Sequence, residues 1–137
     1  MNEKFFSLPE EKKTAIINAG YRVFSQNSYK KSPMSEIAAE AGISKSLLFH
    51  YFKNKKELYL FLLTNAAETT YQYLYQFQCN KSEDIFEIMH RGLKAKLAMM
   101  RKYPDITAFT IKGYYETDPG FGLTQKKRTA GKNRAGV

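Results

Sequence analysis

Apolar residues recur at helical spacing along most of the chain. Nowhere do they alternate with period two over the length of a strand, so the pattern predicts an all-α fold. Ile16, Ala19, Gly20, Val23 and Phe24 form one stripe, and Ser7-Leu8-Pro9-Glu10 ahead of them has the form of a capping box. A helix from there to about Asn27 is expected. Ile37, Ala38 and Ala41 form a shorter stripe, with Ser32 as its candidate cap and Pro33 as a first helical residue whose missing N–H costs nothing. Gly42 follows the last of these positions, where a left-handed residue ends a helix without strain. Ile43 would plug the turn, and Ser44 would cap a helix beginning at Lys45. Asn54, with Glu57 three residues later, opens a long helix to about Gln78. Ser82 is the candidate cap of another, running to about Lys102, where Tyr103-Pro104 breaks it. A further helix is expected over 105–115, and Asp118-Pro119-Gly120 reads as a turn.

The short helix from Lys45 sorts by angle. At about 100° per residue, Leu48 and Phe52 share one face, and Ser46, Leu47 and His50 fall roughly opposite. Lys45 and Phe49 flank the core face on one side and Tyr51 on the other. If Leu48 and Phe52 are buried, a polar, aromatic and basic surface points outward. A charged helix face is ordinarily just solvated, but two capped helices meeting at a glycine are how a protein presents one helix to the major groove of DNA. Lys53, Lys55 and Lys56 follow at a helix N-terminus, where cations do not help the helix but suit a bound phosphate.

Charge sharpens this picture. Residues 1–56 carry ten Lys and Arg against five Asp and Glu, residues 57–123 seven against eight, and residues 124–137 five against none. The net charge of +9 therefore belongs to the first segment and to the tail, as expected for a contact with a polyanion. Cys79 is the single cysteine, which excludes an intrachain disulfide framework and fits a reducing cytoplasm. The start lacks the apolar run of a signal peptide, and Leu58 to Leu63 is far too short to span a bilayer, so no membrane partner is expected. His50 and His90 lie in separate segments without a nucleophile or carboxylate companion. No glycine-rich phosphate loop or metal-spaced cluster accompanies them, which argues against an enzyme, a catalytic centre, a metal site or a resident cofactor.

Glu36-Ile37-Ala38, Ala41-Gly42-Ile43-Ser44-Lys45 and Leu48-Phe49-His50-Tyr51-Phe52, followed by Lys55-Lys56-Glu57-Leu58, closely resemble the DNA-binding domain of the tetracycline-repressor-like (TetR) family of bacterial transcription regulators. The resemblance runs from about Thr14 to Leu58. It implies that Lys45, Ser46, Leu47, Phe49 and His50 meet bases or the neighbouring backbone of double-stranded DNA. It also implies that Tyr51 and Lys55 grip phosphates and that Ser35 lies near one. Phe49 stands where the family often has tyrosine, which removes a hydroxyl-to-phosphate bond. Leu47 stands where threonine is common, leaving an apolar contact suited to a thymine methyl.

Three segments follow from this: a helix-turn-helix domain over 1–54, a partial helical effector domain over 55–118, and a basic tail over 119–137. The tail has no apolar stripe, so disorder is its expected state. The resemblance implies a pocket for a small-molecule effector within the second segment. Tyr71 and Tyr75, one helical turn apart, are the candidate ligand contacts, because buried tyrosines need partners for their hydroxyls. The function implied is a sequence-specific, ligand-responsive repressor. A DNA binder that senses nothing and depends on a partner is the alternative, and a small helical enzyme the remote one. The family pairs as homodimers through helices beyond residue 137, so this chain is expected to be mainly monomeric or prone to aggregate.

Overall fold

A computed structural model describes residues 3–116. Among them are seven helices and no strand: α1 (Glu3–Phe6), α2 (Glu10–Gln26), α3 (Met34–Ala41), α4 (Lys45–Tyr51), α5 (Lys55–Gln76), α6 (Ile85–Lys102) and α7 (Ile106–Tyr114). The all-α expectation holds. The turn expected at Asp118-Pro119-Gly120 and the basic tail lie outside the described residues.

Caps account for most differences from the expected boundaries. Ser7 does not open α2. Its Oγ donates to the Lys4 carbonyl at 2.9 Å and its N–H to Glu3, so it closes the short α1 instead. Pro9 stands at the N-cap of α2 without a side-chain bond. Ser32 does not cap α3 either. It is fully buried, its hydroxyl donates to the Ser28 carbonyl at 2.8 Å, and α3 begins at Met34. A serine hydroxyl satisfies a nearby carbonyl as readily as a helix N–H, which sequence spacing cannot separate. Ser82 stands two residues upstream of the true cap of α6: it accepts from the Asp84 N–H, and Asp84 in turn accepts from the Phe86 N–H. Asn54 caps α5 as expected, accepting from the Glu57 N–H at 2.8 Å.

One apolar core runs through both expected segments. Ile16, Tyr21 and Phe24 of α2, Ile37 and Ala38 of α3, Leu48 of α4, Leu58, Tyr59 and Leu62 of α5, and Phe109 of α7 belong to a single buried cluster. The helix α2 crosses α5 closely at Gly20, whose Cα faces the side chain of Leu62 with no room for a methyl group. On its other side α2 packs α7, the ring of Tyr21 lying 4.9 Å from that of Phe109. Tyr21 is wholly enclosed, its hydroxyl donating to Asn65 Oδ1 at 2.8 Å. That burial raises its pKa well above the ordinary phenol range. The unexpected α1 inserts Phe5 beneath this cluster, in edge or tilted contact with Tyr51, Phe52 and Phe61. No helix among the described residues is long and apolar enough to cross a membrane.

Candidate nucleic-acid interface

The turn between α3 and α4 is built by Gly42, at φ 72° and ψ 27°. Its N–H donates to Ala39, and the N–H of Ile43 reaches back to Ala38 at 3.0 Å. That pairing is a Schellman motif, which satisfies the last carbonyls of α3 and turns the chain sharply. Two residues on, Ser44 Oγ accepts from the Leu47 N–H at 3.1 Å and starts α4. Glycine and serine together therefore set the angle between the two helices, and the Arg22–Glu40 pair at 2.7 Å ties α2 to α3 from outside.

With Leu48 and Phe52 fully buried, α4 has no freedom to rotate. Lys45, Ser46, Leu47, Phe49 and His50 are all left on the solvent side. Leu47 and Phe49 remain 37% and 40% exposed, an unusual amount of apolar surface for a seven-residue helix. Lys45 lies over the Phe49 ring, 5.9 Å from its centre, a cation–π contact that holds both at the front of the helix. Ser35 is exposed in the first turn of α3. Tyr51 differs from the rest: it is only 8% exposed, and its ring is packed edge-on to Phe5.

Beyond α4 the basic residues divide. Lys53 and Lys56 are exposed, whereas Lys55 is half-buried. The Lys55 ammonium donates to the Tyr29 carbonyl at 2.9 Å and sits 4.5 Å from the centre of the Tyr29 ring. This bond draws the loop after α2 against the N-terminus of α5. It brings Lys30 and Lys31, both exposed, to the same end of the domain. Sequence spacing gave no reason to join Lys30 and Lys31 to Lys53 and Lys56, since more than twenty positions separate the two groups. Only the packing of Tyr29 does so.

Tyr71 and Tyr75, the tyrosines expected at a second site, flank an open cleft of about 290 Å³ with Leu74, Cys79 and Asn80. Tyr71 and Tyr75 are 69% and 62% exposed on the outer side of α5, stacked on one another at 6.4 Å. The argument that they are buried and need partners therefore fails. A more enclosed cleft of about 320 Å³ opens between α5, α6 and α7, walled by Tyr73, Leu74, Ala95, Met99, Ile106 and Thr110 among others. Two of its hydroxyls are already engaged: Thr70 donates to Ala66 and Thr110 to Ile106, each at 2.8 Å. The cleft thus offers mainly apolar surface. Small residues on α6, Gly92 and Ala95, leave its space open. That signal was present in the sequence but is unreadable without knowing which face of α6 meets α5.

Comparisons with known proteins bear on the same region. Residues 16–61 match the family model described as bacterial regulatory proteins, tetR family. The HTH-type transcriptional regulator RutR of Escherichia coli K12 is 32% identical over 95 residues, which cover 68% of this chain and 43% of RutR. The fatty acid metabolism regulator protein of Bacillus subtilis 168 is 33% identical over 85 residues, 62% of this chain and 39% of that protein. A TetR family transcriptional regulator from Chloroflexus aurantiacus superposes with a TM-score of 0.67 at 30% identity, over 86% of this chain and 54% of its own. The chain thus spans less than half the length of these two curated relatives.

Proposed function

The chain belongs to the tetR family of bacterial regulatory proteins, and on that premise we propose that it regulates transcription as a sequence-specific binder of duplex DNA in the cytoplasm. The observation that carries this reading is α4 itself. Leu48 and Phe52 anchor it, so Lys45, Ser46, Leu47, Phe49 and His50 form one outward face of the size that enters a major groove. Ser35, Tyr51 and Lys55, together with the exposed Lys30, Lys31, Lys53 and Lys56, would meet phosphates on either side. Tyr51 would do so with little of its side chain, since most of it is enclosed.

Regulation is read as repression relieved by a small effector. The cleft between α5, α6 and α7 has the volume and apolar lining of a small-molecule site, which favours it over the more open cleft beside Tyr71 and Tyr75 as the place where an effector would sit. Two copies would be needed to read two half-sites about 34–36 Å apart.

The test is duplex binding measured against salt. Affinity for a preferred site should exceed that for random duplex, and log K should fall linearly with log salt with a slope of several units. Equal affinity for all duplexes would remove sequence-specific recognition, and binding insensitive to salt would remove the phosphate contacts.

A further inference from the structure

Lys55 is held from behind, and the chain of contacts that holds it starts on a different helix. Glu116 lies two residues beyond α7, after its C-cap Tyr115, and is buried at 8% exposure. Its Oε2 accepts from the Tyr29 N–H at 3.1 Å. The carbonyl of that same residue accepts from the Lys55 ammonium at 2.9 Å. Tyr29 is clamped at its ring too, lying 5.0 Å from Tyr59 of α5 and parallel to Phe24 of α2. Near its C-terminal end α7 has little freedom: a Cβ on Gly113 would come 2.8 Å from Leu63 and 3.5 Å from the Tyr59 hydroxyl. Close packing of this kind transmits a displacement rather than absorbing it. Ile106 and Thr110 of the same helix line the cleft.

We propose that Glu116 is a positioning residue for the Lys55–phosphate contact, acting through both backbone groups of Tyr29. The proposal rests on the DNA-binding reading of α4 and α5. A free lysine side chain loses much rotamer entropy when it is fixed on a phosphate. Lys55 is already fixed by one hydrogen bond and one ring, with two further ammonium hydrogens left for an anion. The Tyr29 peptide that fixes it is in turn set by Glu116.

Charge and positioning predict opposite signs, which makes the test decisive. Deleting a carboxylate from a DNA-binding protein should by itself tighten binding, since one negative charge less repels the phosphates. Positioning predicts the reverse. Glu116→Ala should weaken duplex binding roughly three- to tenfold and flatten the slope of log K on log salt by about 0.9, the value of one phosphate contact. Glu116→Gln keeps an oxygen acceptor for the Tyr29 N–H while losing the charge, and should bind at least as tightly as the unaltered chain. In a Lys55→Met background Glu116→Ala should add no further loss. A merely structural loosening would cost the same in both backgrounds. If Glu116→Ala does not fold by circular dichroism, Glu116→Asp, which keeps the charge and shortens the reach, should show the same loss. Binding by Glu116→Ala, or by Glu116→Asp in its place, as tight as that of the unaltered chain or tighter overturns the proposal, as does an undiminished loss beside Lys55→Met. Failure of the unaltered chain to bind duplex at all overturns the functional reading instead, and the proposal with it.

Discussion

Leu47 has a poor reason to face water, and its exposure is imposed by its neighbour Leu48. An apolar side chain at the front of a recognition helix can read a thymine methyl but has no hydrogen bond to offer. Leu47→Ala is therefore expected to cost on the order of 1 kcal/mol on a preferred duplex and little on random duplex. Equal losses on both would mark a folding defect. Tyr21 makes a different prediction at the same scale. Burial raises its phenol above the ordinary range, so the folded chain keeps the proton where the unfolded chain would release it. Its contribution is complete below the ordinary tyrosine pKa and falls away as pH climbs above it. Tyr21→Phe should lose about 1 kcal/mol at neutral pH with the bond to Asn65, and should then decline less steeply in alkali. Denaturant melts at neutral and alkaline pH compare the two. An alkaline limb unchanged by Tyr21→Phe would assign the decline to other groups.

At the scale of elements, two helical glycines should respond with opposite signs. Alanine gains about 1 kcal/mol of helix propensity over glycine wherever it fits. At Gly20 it does not fit, because the added methyl would drive into the fully buried Leu62 and separate α2 from α5. Overpacking of that kind costs about 1–3 kcal/mol, so Gly20→Ala should lower the melting temperature. At Gly92 nothing lies within 4 Å of a new Cβ, so Gly92→Ala should raise it. Thermal melts of the two variants decide the matter, and like signs would refute the close approach of α2 to α5. The elements themselves were largely legible in the chain. Gly42, Ser44 and Asn54 act as their positions imply, because a left-handed turn and an N-cap are local problems with local solutions. Ser7, Ser32 and Ser82 were misleading for the same physical reason, since each has a carbonyl or amide nearer than the helix it was expected to cap.

For the whole molecule, the telling surface is the outer side of α6. Phe86, Met89, Leu93 and Leu97 follow one another at steps of three and four residues and are all more than half exposed. Apolar stripes of that extent are uncommon on a solitary soluble domain. The 137-residue chain is expected to self-associate without a discrete stoichiometry at micromolar concentration, and Leu93→Lys should reduce this in light scattering. A discrete soluble dimer indifferent to Leu93→Lys would show that another surface pairs. The apolar period by itself determined every helix but α1, and the glycine turn with its flanking caps determined that α4 stands free at the front of α3. Both follow from interactions among residues a few positions apart. Only the tertiary structure decided which tyrosines are enclosed. Helical spacing puts Tyr71 and Tyr75 on one face but cannot tell whether another helix covers it, and α6 packs against a different side of α5. Only the fold, again, joined Glu116 to Tyr29 and Tyr29 to Lys55 across spans of 87 and 26 residues. Contacts between distant segments depend on how helices pack, and that is settled by the shape of the whole core around Gly20, Leu62 and Phe109.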